Sequence, residues 1–356
     1  MKNNRKQDPN RSEVDPYPSR LGKLHFSKRK HPWMWPTVIT ILVILGIGLI
    51  WLHSAYNSAQ TTFQKTYESG GAHSRNVSSI ISDDRPFSVL LLGTDTGALG
   101  RKDVGRTDTL ILATVNPVKK TIFLTSIPRD TKVTIPGIQH PTEKINAAYT
   151  LDGPSGAVST VQKLLNVPID FYAIINMGGL KKMVNAVNGV TVDPPLSFNY
   201  EQAHVKKGQE TTLNGKEALA YSRMRHQDPQ GDYGRQLRQR EILQKLIMKG
   251  MKITSLPRYK EILSSLEGNL KTNMKFNDMV AIRARYGGAT HHIASTSLRE
   301  QNATINGIDY QVPTRSELLK ISRKIRKALG LGNSDQITSN SIDSYSDSIS
   351  SDSSSE

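Results

Sequence analysis

The sequence predicts one α/β domain, with strands and helices alternating over residues 86–330. Three observations carry this. Phe87–Leu92 (FSVLLL) is a continuous apolar run, as expected of a strand covered on both faces. Thr109–Val115 and Thr121–Ile127 repeat the type and are separated by the short turn 116–120, so they form a hairpin. Stretches with apolar residues at helical spacing follow, with short strand-like segments between them.

In chain order, residues 1–31 are polar, basic and proline-bearing, the composition of a disordered tail. Residues 32–52 then hold WMWPTVITILVILGIGLIWL, which is uncharged over about 20 residues, enough to span a bilayer core. Trp33, Trp35 and Trp51 mark its ends, and the basic flank orients the N-terminus to the cytoplasm. A cleaved signal peptide is the alternative. The apolar run is longer than a usual signal core and no clean small-x-small site follows it, which favours an uncleaved single-pass anchor. Residues 53–85 read as a polar spacer, either a frayed helix or a stalk.

Within the domain, Glu143–Leu151, Gly156–Leu165, Gly179–Asn188, Gly215–Tyr221, Gly234–Lys249, Tyr259–Leu270, Phe276–Arg285 and Arg315–Leu329 read as helices. Phe171–Met177, Val190–Asp193, Glu210–Leu213, His292–Leu298 and Thr304–Val312 read as strands. Residues 331–356 form a Ser/Asp-rich tail of disordered composition.

The 356-residue chain carries a formal net charge of +16 and no cysteine. Disulfides, thiolate catalysis and cysteine metal sites are excluded. The charge favours anionic partners. Nucleic acid is not expected, because the domain lies beyond the anchor and no helix-turn-helix is present. A simple glycan-binding protein would use aromatic platforms, and aromatic residues make up only 6% of the chain.

The candidate chemistry sits at charged strand tips and in one arginine-rich stretch. Asp95 and Asp108 each follow a threonine and flank a glycine-rich loop with Gly97, Gly100 and Gly105. Two carboxylates without His or Cys suit Mg2+, which takes oxygen ligands alongside substrate phosphates. The plain alternative is that both aspartates are turn or cap residues. Tyr221–Arg240 (YSRMRHQDPQGDYGRQLRQR) contains Arg223, Arg225, Arg235, Arg238 and Arg240 with Asp232 among them. Read as extended, Arg223 and Arg225 point the same way. On the helix that follows, Arg235, Arg238 and Gln239 share a face near the N-terminus, where anions bind. A solvated basic face is the alternative. With Arg106 and Arg129, such arginines suit a phosphate-rich ligand, because each guanidinium grips two oxygens.

The set GTD (93–95), RTD (106–108), PRD (128–130), EKINAAY (143–149), YSRMR (221–225) and GDYGRQLRQR (231–240) resembles the LytR-CpsA-Psr family over nearly all of residues 86–250. The resemblance implies a mixed central sheet flanked by helices, with an apolar groove for a polyprenyl chain. It implies a membrane-anchored extracellular phosphotransferase. Such an enzyme moves a glycopolymer (wall teichoic acid, capsule or a related polymer) from undecaprenyl pyrophosphate onto peptidoglycan, with Mg2+. Hydrolysis of polyprenyl pyrophosphate is the alternative at the same site, and a transcriptional attenuator is a more distant one. By motif, Asp95 and Asp108 match the magnesium ligands. Arg106, Arg129, Arg223, Arg225, Arg235 and Gln239 match residues around the pyrophosphate, and Asp232 the acidic position beside them. Lys144 and Arg238 are carried as pyrophosphate contacts or structural residues. Either Asp95 or Asp232 serves as general base.

Overall fold

The computed structural model describes residues 45–50, 75–95, 105–139, 142–252 and 264–334, with scattered positions between 53 and 68 and residue 262. The tail 1–31, most of the segment 32–52, the loop 96–104 and the acidic tail beyond 334 lie outside the described residues. The chain divides into two units, Met1–Trp51 and Leu52–Glu356. In the first, residues 45–50 are helical, and Leu45, Ile47, Leu49 and Ile50 are exposed. Among the described residues no helix is long and apolar enough to cross a membrane.

The second unit runs α1 (Val77–Ser82), β1 (Phe87–Thr94), β2 (Thr107–Asn116), β3 (Thr121–Ile127), β4 (Lys132–Thr134), β5 (Thr142–Lys144), α2 (Ala147–Leu165) and β6 (Phe171–Asn176). Next come α3 (Met177–Ala186), the short strands β7 (Val190–Val192), β8 (Phe198–Tyr200), β9 (Ala203–Val205) and β10 (Thr211–Leu213), then α4 (Gly215–Arg223) and α5 (Asp232–Met251). It closes with β11 (Leu270–Thr272), α6 (Phe276–Tyr286), β12 (His292–Ser297), β13 (Gln301–Ile305), β14 (Ile308–Val312) and α7 (Arg315–Ala328).

Six strands form the central sheet in the order β11-β6-β1-β2-β3-β12. The β1–β2–β3 meander is antiparallel, while β6 joins β1 and β12 joins β3 in parallel. The sheet is therefore mixed. Alternation along the strands feeds two cores. Leu90, Leu92, Leu110 and Leu112 pack under α2 and α7 with Leu318, Ile321 and Ile325. Phe87, Val89, Ile111 and Ala113 pack on the other face with α1, Tyr286 and the α5 residues Leu243 and Ile247. Both faces are covered, which is why these strands read as unbroken apolar runs. A third cluster joins α3, α4, α5 and the short strands around Tyr221 and Met224.

Three expectations are corrected. Residues 142–144 form strand β5 against β4 rather than a helix, with Lys132 opposite Lys144. Thr304–Val312 is a hairpin rather than one strand. Asn306 (φ 50°) and Gly307 (φ 75°) both take the left-handed conformation that a tight two-residue turn requires. The end of the 53–85 segment is no spacer: Ile80 and Ile81 of α1 are buried in the core. Arg75 donates to Asp170 at 2.9 and 2.5 Å and anchors that stretch to the start of β6.

Candidate active site at the strand tips

Asp95 follows β1, and Asp108 lies near the start of neighbouring β2. Register slips there: Gly93 faces Thr109 while Thr94 faces Thr107, leaving Asp108 as the extra residue of a bulge. A bulge re-aims its side chain. A Cβ on Gly93 would stand 3.0 Å from the Thr109 Cβ, so the close pairing of the two strands is eased by glycine.

Arg129 projects from the turn Pro128–Thr131 at the end of β3. Backbone bonds pin this turn from three sides: Asn146 N to Arg129 O (3.2 Å), Ile145 N to Thr131 O (2.8 Å) and Gln311 N to Asp130 O (2.9 Å). Arg129 Nη1 donates to Asp108 Oδ1 at 2.6 Å. Lys144 Nζ, on β5, lies 3.2 Å from Asp130 Oδ1. Burial opposes the Arg129 charge. The Asp108 bond and the charges of Asp108, Asp130 and Asp232 outweigh it and hold the guanidinium above its usual range.

The opposite wall is the start of α5. Its N-cap, Gly231 (φ 54°), offers no side-chain cap. Asp232 supplies a negative charge in the first turn, where the helix dipole favours one. Asp232 Oδ1 lies 2.5 Å from Arg235 Nη2, and Gln236 Nε2 donates to Asp232 Oδ2 at 2.9 Å. Ser297 Oγ donates to Gln236 Oε1 at 2.6 Å, tying the helix to β12. A shallow polar cleft opens between the walls, lined by Asp108, Ser126, Arg129, Asp232, Arg235 and Gln239 among others. Burial, followed by the opposing pull of Asp232 and the push of Arg129 and Arg225, leaves Arg235 below its usual range. Two guanidiniums that repel each other across a cleft are relieved by an anion between them. The Arg235 Nε is buried without a hydrogen-bond partner.

The structure gathers Asp108, Arg129, Asp232, Arg235 and Gln239 in this cleft, with Lys144 behind Asp130. It does not gather the rest in its wall. Arg106 is exposed just before β2. Arg223 is the last residue of α4, not part of an extended segment, and pairs with Glu201 at 3.1 Å on the surface. Arg225 is exposed, yet near enough for its charge to act on Arg235.

Arg238 is the correction within the site. It shares the helix face expected of it only in part, and it points inward. Its side chain is wholly buried. It pairs with Asp228, donates through Nε to the Tyr221 carbonyl at 3.0 Å and through Nη2 to the Met224 carbonyl. Its guanidinium lies 5.5 Å from the centre of the Phe198 ring. The pocket that accepts it lies under the Tyr221–Met224 backbone, one helical turn from the cleft. Arg240 also turns inward, donating to Ser126 Oγ at 2.8 Å, and burial lowers it to about 10.

Sequence reasoning passed over Asp130, Ser126, Tyr233, Gln236 and Asp228. Asp130, Asp228, Tyr233 and Gln236 sat in stretches already singled out; Ser126, inside a strand, gave no signal of its own.

Asp95 and Asp108, at the same end of neighbouring strands, offer an all-oxygen donor set beside Arg129, which fits Mg2+. Among the described residues no three His, Cys, Asp or Glu side chains converge, so an ion there would draw its other ligands from substrate oxygens or water.

Against known proteins, the LytR_cpsA_psr family pattern matches residues 52–327. The chain is 39% identical over 292 residues to an Enterococcus faecalis protein named polyisoprenyl-teichoic acid–peptidoglycan teichoic acid transferase TagU. The match covers 82% of this chain and 94% of that one. A crystal structure from Enterococcus faecalis, described as a transcriptional regulator, aligns with TM-score 0.67 at 38% identity, covering 75% and 96%. A structure described as TagT bound to LIIa-WTA aligns with TM-score 0.59 at 29% identity, covering 69% and 92%.

Proposed function

The chain belongs to the LytR_cpsA_psr family, and from that premise we propose that it transfers an anionic glycopolymer of the teichoic acid type from an undecaprenyl-pyrophosphate carrier onto peptidoglycan. The observation that carries the reading is the cleft, where Arg129 and Arg235 face each other between Asp108 and Asp232. It occurs in a chain that covers nearly the full length of a transferase of that name.

In this reading the carrier's diphosphate lies between Arg129 and Arg235, with Gln239 beside them and Arg106, Arg223, Arg225 and Lys144 extending the basic surroundings. Asp95 and Asp108 hold Mg2+, which, when bound, neutralises charge developing on phosphate oxygens. A sugar hydroxyl of peptidoglycan attacks the phosphorus that bears the glycan. A new phosphodiester bond forms, the bridging P–O bond of the pyrophosphate breaks, and the carrier leaves as its monophosphate. We assign the hydroxyl proton to Asp232 rather than Asp95, because Asp232 lines the cleft. Arg129 and Arg235 then stabilise charge where it builds, the largest contribution in most phosphoryl transfers.

The reading includes a single-pass anchor over residues 32–52 with the domain outside the cell. The uncharged run between a basic flank and the domain supports it, as do the exposed apolar side chains of the helical residues 45–50.

The test incubates the full-length chain in detergent with a lipid-linked glycan, peptidoglycan oligomers and Mg2+, and looks for the joined product by mass. Wild type is expected to form it, and Asp95→Ala and Asp108→Ala are expected to lose Mg2+-dependent turnover while staying folded. Release of free glycan phosphate without joined product would replace the transferase by a hydrolase. Full turnover of both variants in chelator would remove the metal from the reading.

A further inference from the structure

Beneath the cleft, one carboxyl group connects its two walls. Glu300 lies in the loop between β12 and β13. Its Oε1 stands 2.8 Å from Thr131 Oγ1, directly under the Arg129 turn. Its Oε2 is sealed from solvent and has no hydrogen-bond partner. Thr131 Oγ1 also lies 2.6 Å from the Pro128 carbonyl oxygen. A threonine hydroxyl has one proton and a carbonyl has none. Both contacts are hydrogen bonds only when the second proton belongs to Glu300: Thr131 then donates to Pro128, and Glu300 donates to Thr131. An ionised Glu300 would leave one of two short oxygen–oxygen contacts without a proton.

The other side of the same residue holds the helix. Glu300 N donates to Tyr233 Oη at 3.1 Å, and Tyr233 Oη lies 3.4 Å from the Glu300 carbonyl. Tyr233 stands in the first turn of α5 between Asp232 and Arg235. Through its side chain Glu300 grips the turn that carries Arg129; through its backbone it grips the helix that carries Arg235.

We propose that Glu300 is a positioning residue, kept as a neutral acid, that fixes the distance between the Arg129 turn and the α5 N-terminus. The proposal deepens the transferase reading and rests on it for its consequence in turnover. The charged and titratable groups around Glu300 are Asp130 on the turn, Asp232 and Tyr233 on α5, and Arg299 next to it in its own loop. Burial first, and then the Asp130 and Asp232 charges, push its carboxyl well above the usual range.

The consequence for stability has a definite sign. The carboxyl is ordinary in the unfolded chain and raised in the folded one. The folded state therefore keeps a proton that the unfolded state has lost, and the stability this gives is lost as pH rises above the ordinary carboxylate range.

The experiment compares wild type, Glu300→Gln and Glu300→Ala as full-length chains in detergent. Infrared spectra are expected to show a protonated carboxyl band at neutral pH in wild type that is missing from Glu300→Gln. Melting temperature against pH is expected to fall for wild type relative to Glu300→Gln as pH rises, since the amide donates to Thr131 at every pH. In the transfer assay, Glu300→Ala is expected to lose about tenfold or more in kcat, the scale of a small misplacement of catalytic groups, with KM changed less. Glu300→Gln is expected to recover most of that loss. An absent band, parallel melting profiles, or a Gln variant as impaired as the Ala variant would overturn the proposal. The first two measurements need no turnover, so they decide the protonation state even if the transferase reading fails.

Discussion

Arg235 and Arg238 stand one turn apart on the same helix, each paired with an aspartate, and their surroundings separate their roles. Arg235 faces Asp232 at the rim of a cleft, beside Arg129, with its Nε unpartnered. Arg238 is enclosed, paired with Asp228 and bonded to two backbone carbonyls. The first guanidinium keeps hydrogen-bonding capacity for an incoming anion. The second has committed its own to the polypeptide. On the proposed reading, one arginine-rich motif is half ligand site and half scaffold, and side-chain direction on the helix decides which.

The strongest test of that division is Arg238→Ala. It strands Asp228 as a buried, uncompensated charge, a change that costs about 3–5 kcal/mol. Thermal or denaturant unfolding should show this as a large loss of stability. An unchanged melting temperature with lost ligand affinity would put Arg238 back among the ligand residues. Gly234→Ala attacks the same scaffold from the helix side. Its Cβ would land on the Asp228 carboxylate. The expected loss is about 1–3 kcal/mol, as for other overpacked sites, read in the same unfolding experiment.

Arg235→Lys probes the other half. Lysine keeps the charge and loses the fork. Affinity for a polyprenyl pyrophosphate should fall by about 1.5–3 kcal/mol, roughly ten- to a hundredfold, with a smaller change in melting than Arg238→Ala gives. Affinity matching wild type would mean that the cleft does not grip the diphosphate there. Arg223→Lys should do least. Its surface pair with Glu201 is worth about 0–1 kcal/mol, and its affinity loss should stay below that of Arg235→Lys. Equal losses at both positions would extend the binding surface to the α4 end.

The sequence made the meander and most helices legible, because Phe87–Leu92 and Thr109–Val115 owe their composition to being covered on both faces, a constraint that leaves its mark residue by residue. The Asp108, Arg129 and Arg235 tips were legible as charges where apolar strands or a helix end. What stayed hidden depended on partners distant in sequence. Arg238 stayed open between a ligand contact and a structural residue, because Asp228 and the carbonyls of Tyr221 and Met224 that enclose it come together only in the fold. The short strand Thr142–Lys144 is fixed by pairing with β4, not by its own composition. The 53–85 stretch looked polar overall, yet Ile80 and Ile81 within it are core. Glu300 had no motif around it; its place follows from where β12 ends and α5 begins.

The parallel pairing of β3 with β12 joins Thr121 to His292 and so sets the order in which the chain can assemble. Phe87–Ile127 can zip as two successive hairpins early in folding, because its contacts are local. The outer edge of β3 must then wait for most of the remaining chain, with its hydrogen-bonding groups unpaired in the meantime. Such an edge invites pairing with another nascent copy. Truncation ahead of β12 should therefore yield aggregates rather than a smaller folded core, even though the arginine-bearing helix would be intact.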